Sequence, residues 1–349
     1  MSDPRATAAA QPSGVGIRTI GQYLPERIVT NADLETMIDT NADWILEKIG
    51  IHSRRFASED DTTVTMGTRA LLDACARAGI DKDSIDLLIC GTVTPDLMAP
   101  AAGVDIMRRA GLTQAVAFDV NSGGCAGSVF ALDVAVKYVR SGAYHRVAVV
   151  LADTVTKLLD PTDRMTAVIF GDAAACYIVE PTVPGSGIGA TMLRNDPDSF
   201  SSALVSRDPV TDGDGNRVES AFGQNFIRIV GRDIRNFALD TVPGFVRKLT
   251  EEENLTPEDL TMLILHQANR RIVEGIMDGL SLPYDRTVIN VDRYGNTSAA
   301  GSVLALREAV DTGRIARGDK VALVSFGSGL ALGGTLITWS GPEDFLAAV

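Results

Sequence analysis

Apolar residues in this chain fall into two alternating patterns. Continuous apolar runs at 84–93 (SIDLLICGTV), 115–121 (AVAFDVN) and 146–154 (RVAVVLADT) predict buried strands. Between them, 66–80, 101–112 and 126–144 carry apolar residues at helical spacing. This alternation predicts α/β architecture with sheets covered on both faces. The order then returns: a helix around 224–253, a strand at 259–266, helices at 269–280 and 297–315, and a strand at 320–329. Short alternating stretches fill 175–207, and the polar segment 208–220 (DPVTDGDGNRVES) reads as an exposed loop.

The repetition extends to individual residues. AGSVFALDVAV (126–136) and AGSVLALREAV (300–310) are identical at eight of eleven positions under a shift of 174. The same shift sets RVAVVLA (146–152) over KVALVSF (320–326), and a shift of 175 sets SIDLLIC (84–90) over DLTMLIL (259–265). Three elements in order at a nearly constant shift indicate a duplicated α/β unit whose halves pack with pseudo-twofold symmetry. The expected division is a tail over 1–13, a first half over 14–183 and a second over 184–349.

Composition narrows the partners. The 349 residues, 45% of them hydrophobic, suffice for two domains or one duplicated domain. No apolar run approaches the roughly 18 residues of a membrane helix, and MSDPRATAAAQPSG lacks the apolar core of a signal peptide. A net charge of −13 argues against nucleic acid as the main partner. The four cysteines (Cys75, Cys90, Cys125, Cys176) are irregularly spaced without a CxxC pair. That excludes a disulfide framework or zinc site and suits a cytoplasmic location.

Duplication also exposes what differs between the halves. Cys125 aligns with Ala299, and Gly91 with His266. Open α/β folds bind ligands beyond the carboxyl ends of their strands, so unmatched residues there are candidates for chemistry. Cys125, in NSGGCAGSVF, is either a small buried turn residue or a nucleophile on a strand-to-helix elbow. Of the three histidines, His145 sits in a turn and His52 lies among basic neighbours in GIHSRRF, whereas His266 ends the apolar run LTMLILH.

NSGGCAGSVFAL, HQANRRI and YGNTSAAGSVLAL closely resemble the catalytic segments of ketoacyl-acyl carrier protein synthase III, in the thiolase superfamily. NADWILEKIGI, DPTDRMTAVIFGDAAACYIVE and SFGSGLALGGTLITW extend the likeness in colinear order over roughly 14–342. The resemblance implies a duplicated five-layered α/β/α/β/α sandwich, a homodimer, and thioester substrates on coenzyme A or acyl carrier protein, with no metal or further cofactor. Its catalytic set falls on Cys125, His266 and Asn296, and its oxyanion donors on the backbone N–H groups of Cys125 and Ser328.

Each implied role has a physical rationale. A helix N-terminus favours the thiolate, so the thiol pKa of Cys125 is expected below its usual value of about 8.5. Adjacent glycines let a substrate approach the backbone closely. Cys125 would carry the acyl group covalently. The Nε2–H of His266 and the Asn296 amide would then stabilise the enolate formed when a malonyl thioester loses carbon dioxide. A carboxylate in place of Asn296 would repel that enolate, so carbon–carbon bond formation leads. Acyl transfer to oxygen or nitrogen, or a non-catalytic partner subunit, are the alternatives. No cysteine follows Cys176, which argues against a thiolase, and one well-placed histidine argues against the elongating synthases.

By the same resemblance, Trp44, Arg164 and Asn269 would line the pantetheine entrance. Where relatives clamp the nucleotide with Arg-Thr, this chain has Lys48 and Ile49. Lysine lacks the planar fork of arginine, so a carrier-protein donor gains weight. Arg228, Arg232, Arg235, Arg247, Lys248, Arg270 and Arg271 form a candidate docking patch for an acidic carrier, or else solvated helix faces. Met98 and Ala99 fall in the loop expected to end the acyl pocket across the dimer interface, leaving room for a starter larger than acetyl.

Overall fold

The computed structural model describes residues 14–121, 124–205, 210–211, 217–218 and 226–347. The expected tail over 1–13 lies outside them, as does most of 208–220. The first half contains β1 (Gly14–Tyr23), β2 (Arg27–Thr30), α1 (Asn31–Met37), α2 (Ala42–Lys48), β3 (Ser53–Phe56), α3 (Thr63–Ala78), β4 (Leu87–Gly91) and α4 (Ala102–Ala110). It continues through β5 (Val116–Val120), α5 (Gly127–Arg140), β6 (Val147–Asp153), α6 (Arg164–Ala167) and β7 (Ala173–Thr182). The second half has β8 (Gly187–Asn195), β9 (Ala203–Leu204), β10 (Val210–Thr211), β11 (Arg217–Val218), β12 (Arg228–Ile229), α7 (Gly231–Glu251), β13 (Met262–Leu265) and α8 (Arg270–Leu280). It closes with α9 (Val291–Tyr294), α10 (Ala300–Asp311), β14 (Lys320–Gly327) and β15 (Ala331–Thr338). The helix expected from 224 begins only at Gly231, because Arg228 and Ile229 pair with Leu204 and Ala203 as β12 and β9.

Two sheets carry the molecule. The first has the order β1-β7-β6-β4-β5, with β4 parallel to β5 and β6. The second has the order β13-β14-β15-β8, with β13 parallel to β14 and the other pairs antiparallel. Among the described residues of the second half, no strand takes the β5 position. Residues 287–290 stand there instead, held to β13 by Thr287 Oγ1 donating to Leu263 O at 2.7 Å.

Strand alternation explains the layering, since successive side chains point to opposite faces. Leu87, Ile89, Val147, Val149 and Leu151 face the molecular centre, while Leu88, Cys90, Ala148 and Val150 pack under α3 and α4. In the second sheet, Met262, Ile264, Val321 and Leu323 face the centre, and Leu263, Leu265, Ala322 and Val324 pack under α7 and α8. Helices α5 and α10 share the central cluster, giving five layers, α/β/α/β/α. Ser302 Oγ donates to Ser128 Oγ at 3.0 Å. These serines are 174 residues apart, the repeat shift, so the pseudo-twofold axis passes between them.

Candidate active site

Cys125 sits in a 3-10 turn, Gly124–Ala126, that leads directly into α5. Gly124 has φ of +58°, a left-handed conformation that glycine adopts without Cβ strain. The Cys125 carbonyl accepts a hydrogen bond from Ser325 Oγ on β14 at 2.8 Å, which ties the nucleophile turn to the other half. The residue opens onto a pocket, but its apolar surroundings leave the thiol little water. Burial pushes the thiol up to about 12, hydrogen bonding from Ser298 pulls it down, and Asp153 adds to the rise. Burial thus acts on the thiol against the lowering expected from the helix N-terminus.

His266 follows β13 and extends its ladder by donating its backbone N–H to Val324 O at 2.9 Å. The ring stands edge-on to Phe326, with centroids 5.0 Å apart and planes at 90°. Burial drives its pKa down to about 3, so the imidazole is neutral. Nδ1 is buried with no hydrogen-bond partner among the described residues. Assigning the ring proton to Nε2 leaves only a lone pair at that orphaned atom.

Asn296 is held by the backbone on both sides. Its N–H donates to Ile169 O at 2.9 Å, and its carbonyl accepts from Gly171 N–H at 3.1 Å. A Cβ on Gly171 would lie 2.1 Å from Tyr294 O, so only glycine permits this approach. The Asn296 Oδ1 accepts from Ser298 N–H at 3.0 Å and lies 4.0 Å from Cys125 Sγ. With Oδ1 engaged, Nδ2 is the free donor. Ser298 itself has φ of +55°, a conformation that costs a non-glycine residue about 1–2 kcal/mol.

Two further residues brace this arrangement. Gln267 donates from Nε2 to Leu265 O and Val288 O and accepts at Oε1 from Asn290 N–H and Val291 N–H, all within 3.2 Å. It locks the end of β13 to the segment entering α9. Arg54, wholly buried, donates to Asn31 Oδ1 at 2.8 Å and to Val168 O at 2.8 Å, next to the segment that carries Asn296. Neither residue belongs to a repeated element, so periodicity and duplication gave no signal for them.

Cys125, His266, Asn296, Ser298 and Ser328 line one pocket of about 70 Å³, walled by Leu158, Phe170, Ile227, Ile229, Ile234 and Phe326. Near the surface, the Arg164 guanidinium lies 5.9 Å from the Trp44 ring centroid. Asn269 caps α8, its Oδ1 accepting from Arg271 N–H at 2.7 Å, and Arg270 N–H bonds Ile49 O, so α8 abuts α2. Lys48 is exposed and pairs with Glu47 at 2.6 Å. Arg270 and Arg271 both bind Glu274, at 2.8 and 3.0 Å, and Arg247 donates to Gly279 O. Arg270 and Arg271 are thus partly neutralised, while Lys248 stands exposed. Met98 and Ala99 are also exposed and do not line the pocket of their own chain. Among the described residues, no group of three or more His, Cys, Asp or Glu is placed to hold a metal, and no helix is long and apolar enough to cross a membrane.

Two sheets enclosing a shared pair of helices, with a cysteine-bearing turn at the start of one of them, define a thiolase-fold acyltransferase. Residues 118–197 match the family described as 3-oxoacyl-[acyl-carrier-protein (ACP)] synthase III, and residues 250–339 match its C-terminal part. The chain belongs to the 3-oxoacyl-[acyl-carrier-protein] synthase III family. It is 38% identical to the beta-ketoacyl-[acyl-carrier-protein] synthase III of Allorhizobium ampelinum, over 93% of this chain and 98% of that protein. It superposes on the crystal structure of the Thermus thermophilus enzyme with a TM-score of 0.86 at 37% identity, covering 93% of this chain and 99% of the other. The priming beta-ketosynthase of the R1128 polyketide pathway gives 0.86 at 32% identity, over 97% and 99%.

Proposed function

We propose that this chain transfers an acyl group from a thioester to Cys125 and condenses it with a malonyl thioester. Carbon dioxide is released and a 3-oxoacyl thioester is formed for fatty acid or polyketide synthesis. The observation that carries the reading is the meeting, in one apolar pocket, of a thiol from the first half with a neutral imidazole and an oriented amide from the second.

The chemistry runs in two stages. Sγ attacks the acyl carbon, and the carbonyl oxygen, becoming an oxyanion, receives the backbone N–H groups of Cys125 and Ser328. After the first thiol leaves, the malonyl group enters and its carbonyl lies against His266 Nε2–H and Asn296 Nδ2–H. Loss of carbon dioxide puts charge on that oxygen. Neutral donors stabilise it without an acidic proton that would quench the carbanion. Carbon attack on the acyl-Cys125 then breaks its C–S bond, releasing the product and a Cys125 thiolate that takes a proton from solvent.

Acyl carrier protein is the donor this reading favours. Lys48 is already paired with Glu47, which weakens its hold on a nucleotide phosphate, whereas Lys248 remains exposed for an acidic protein. A homodimer is part of the same reading. The outer edge of β5 is unpaired among the described residues, Val116 on it is exposed, and so are Leu97 and Met98 nearby in sequence to β4. An exposed strand edge invites a second copy. Such pairing would let Met98 and Ala99 approach the partner's pocket.

Intact-mass analysis tests the first stage. One acyl mass per chain is expected on the peptide containing Cys125, with carbon dioxide released only when a malonyl thioester is supplied. Label on Cys75, Cys90 or Cys176 would refute the assignment.

A further inference from the structure

Two buried carboxylates stand at one end of the first sheet, and the two-stage chemistry above gives neither a task. Asp153 ends β6 and is 1% exposed, and Asp172, just before β7, is wholly buried. Asp153 pairs in register with Ala173, so the two acids lie at neighbouring strand ends. Neither forms an ion pair among the described residues, and Lys157, whose charge lowers the Asp172 pKa, donates instead to Asp61 O at 2.8 Å. A buried carboxylate without a paired cation is costly to keep. Asp153 is also unmatched in the second copy, because the 174-residue shift places it on Gly327.

Each acid clamps a loop. Asp153 Oδ1 alone accepts three hydrogen bonds, from Thr92 Oγ1 at 2.9 Å, Val93 N–H at 2.8 Å and Thr94 Oγ1 at 3.2 Å. Thr94 Oγ1 in turn accepts from Thr154 N–H at 2.9 Å, which ties the segment after β4 to the segment after β6. Asp172 uses both oxygens. Its Oδ1 accepts from Thr156 N–H at 2.9 Å, and its Oδ2 from Ala57 N–H at 2.7 Å and from Thr156 Oγ1. Both clamps end on the wall of the pocket that holds Cys125. Val93 lines that pocket and lies beside the nucleophile turn, 3.6 Å from where a Cβ on Gly124 would stand. On the other side, Thr156 lies between Val155 and Leu158, which also line the pocket. Leu158 O then accepts from the N–H of Ile227, a further wall residue, at 2.9 Å. Loops beyond strand ends are ordinarily the most mobile backbone, and bonds to ionised acceptors are the strong ones.

We infer that Asp153 and Asp172 are positioning residues that fix the width of the pocket at Cys125, and so the length of the acyl group it accepts. The inference rests on the acyl transfer to Cys125 proposed above. Neither carboxylate lines the pocket. Asp153 acts through Val93, and Asp172 through Val155 and Leu158. A wall held rigidly excludes a chain that is a carbon or two too long, whereas a wall free to retreat admits it. Carboxylates suit the task, because each accepts several N–H and O–H bonds at once and has no proton of its own to place.

Competition between donors tests this. Acetyl, butyryl, hexanoyl and octanoyl thioesters are supplied together at equal concentration, on coenzyme A and on acyl carrier protein in parallel. Mass analysis after a short reaction reads the share of each acyl group on Cys125. Shares do not depend on how much enzyme is folded, so a purely structural loss leaves them unchanged. Asp153→Ala and Asp172→Ala should each raise the ratio of the two longer labels to the two shorter ones about tenfold. Asp153→Asn should stay within about twofold of the wild type, because its Oδ1 can keep all three bonds. Asp172→Asn should shift the ratio, because one of its two accepting oxygens becomes a donor. Thr92→Val and Thr156→Val each remove one bond and keep both acids. They should shift the ratio in the same direction, and they decide the matter should the acid variants fail to fold. Wild-type shares in both threonine variants, or an Asp153→Asn shift as large as that of Asp153→Ala, would overturn the clamp while leaving Cys125 as the acyl carrier. A wild type acylated at another cysteine, or at none, would overturn the proposed function and this inference with it.

Discussion

Burial moves Cys125 and His266 in opposite directions, and each shift has a measurable signature. With its thiol pushed up to about 12, Cys125 should react with iodoacetamide at a rate that rises about tenfold per pH unit through pH 10 with no plateau near 8.5. A plateau there would show that the helix terminus outweighs desolvation. His266 is held down to about 3, so its ring stays neutral and malonyl decarboxylation should show no acid limb between pH 7 and 5. The same shift has a stability consequence. The unfolded ring binds a proton near pH 6.5 and the folded ring does not, so the contribution is present above pH 6.5 and is lost as pH falls toward 3. His266→Gln, read by denaturant midpoints at pH 7 and 4.5, should shrink this loss. His266→Ala and Asn296→Ala should acylate Cys125 at near wild-type rates yet lose decarboxylation by about 100-fold or more. Collapse of acylation in both would reassign them to the first stage.

Between residue and site stand the elements that aim the side chains, and here the segment 168–171 is decisive. Arg54 holds it at Val168 O, and Asn296 pairs with it on both sides of Phe170. Arg54→Leu strands Asn31 Oδ1 and that carbonyl without donors. A loss of about 2–3 kcal/mol is expected, measured by urea unfolding, with decarboxylation falling further than acylation because Asn296 loses its support. Gly171→Ala should do the same, since its Cβ would collide with Tyr294 O. None of this is visible in a linear reading. The strands β4, β6 and β14 were legible because their alternation serves two cores at once, and the 174-residue shift exposed α5 and α10 directly. Cys125 and His266 were legible as mismatches between copies. Asp153 was an equally plain mismatch, against Gly327, but it continued an apolar strand and looked like its end. The long-range bonds of Arg54 and Gln267, the strained φ of Ser298 and the desolvation of the thiol all depend on residues far away in sequence. The sequence pattern therefore carried the local helix but not the burial that acts on the thiol against it. It also ran the helix before β13 too far, because β12 claims Arg228 and Ile229.

At the scale of the whole molecule, two surfaces carry expectations of their own. If β5 pairs with a second copy, Val116→Lys should lower the sedimentation coefficient toward that of a single chain at micromolar concentration and weaken turnover as Met98 and Ala99 leave the partner's pocket. If Lys248 meets an acidic carrier, Arg247→Glu with Lys248→Glu should raise KM for acyl carrier protein, more at 50 mM than at 300 mM salt, and leave coenzyme A thioesters nearly unaffected. The hydrogen bond between Ser128 and Ser302 reaches further. At a true twofold axis each serine would meet its own copy, so this contact is what an ancestral pair of separate, identical chains would have made. One exposed turn, Val183–Ser186, now joins β7 to β8. If the halves dock as two such chains would, covalent continuity there is not a condition of folding. Co-expressed fragments 14–184 and 185–349 should find one another, copurify and regain condensing activity, much as two subunits would.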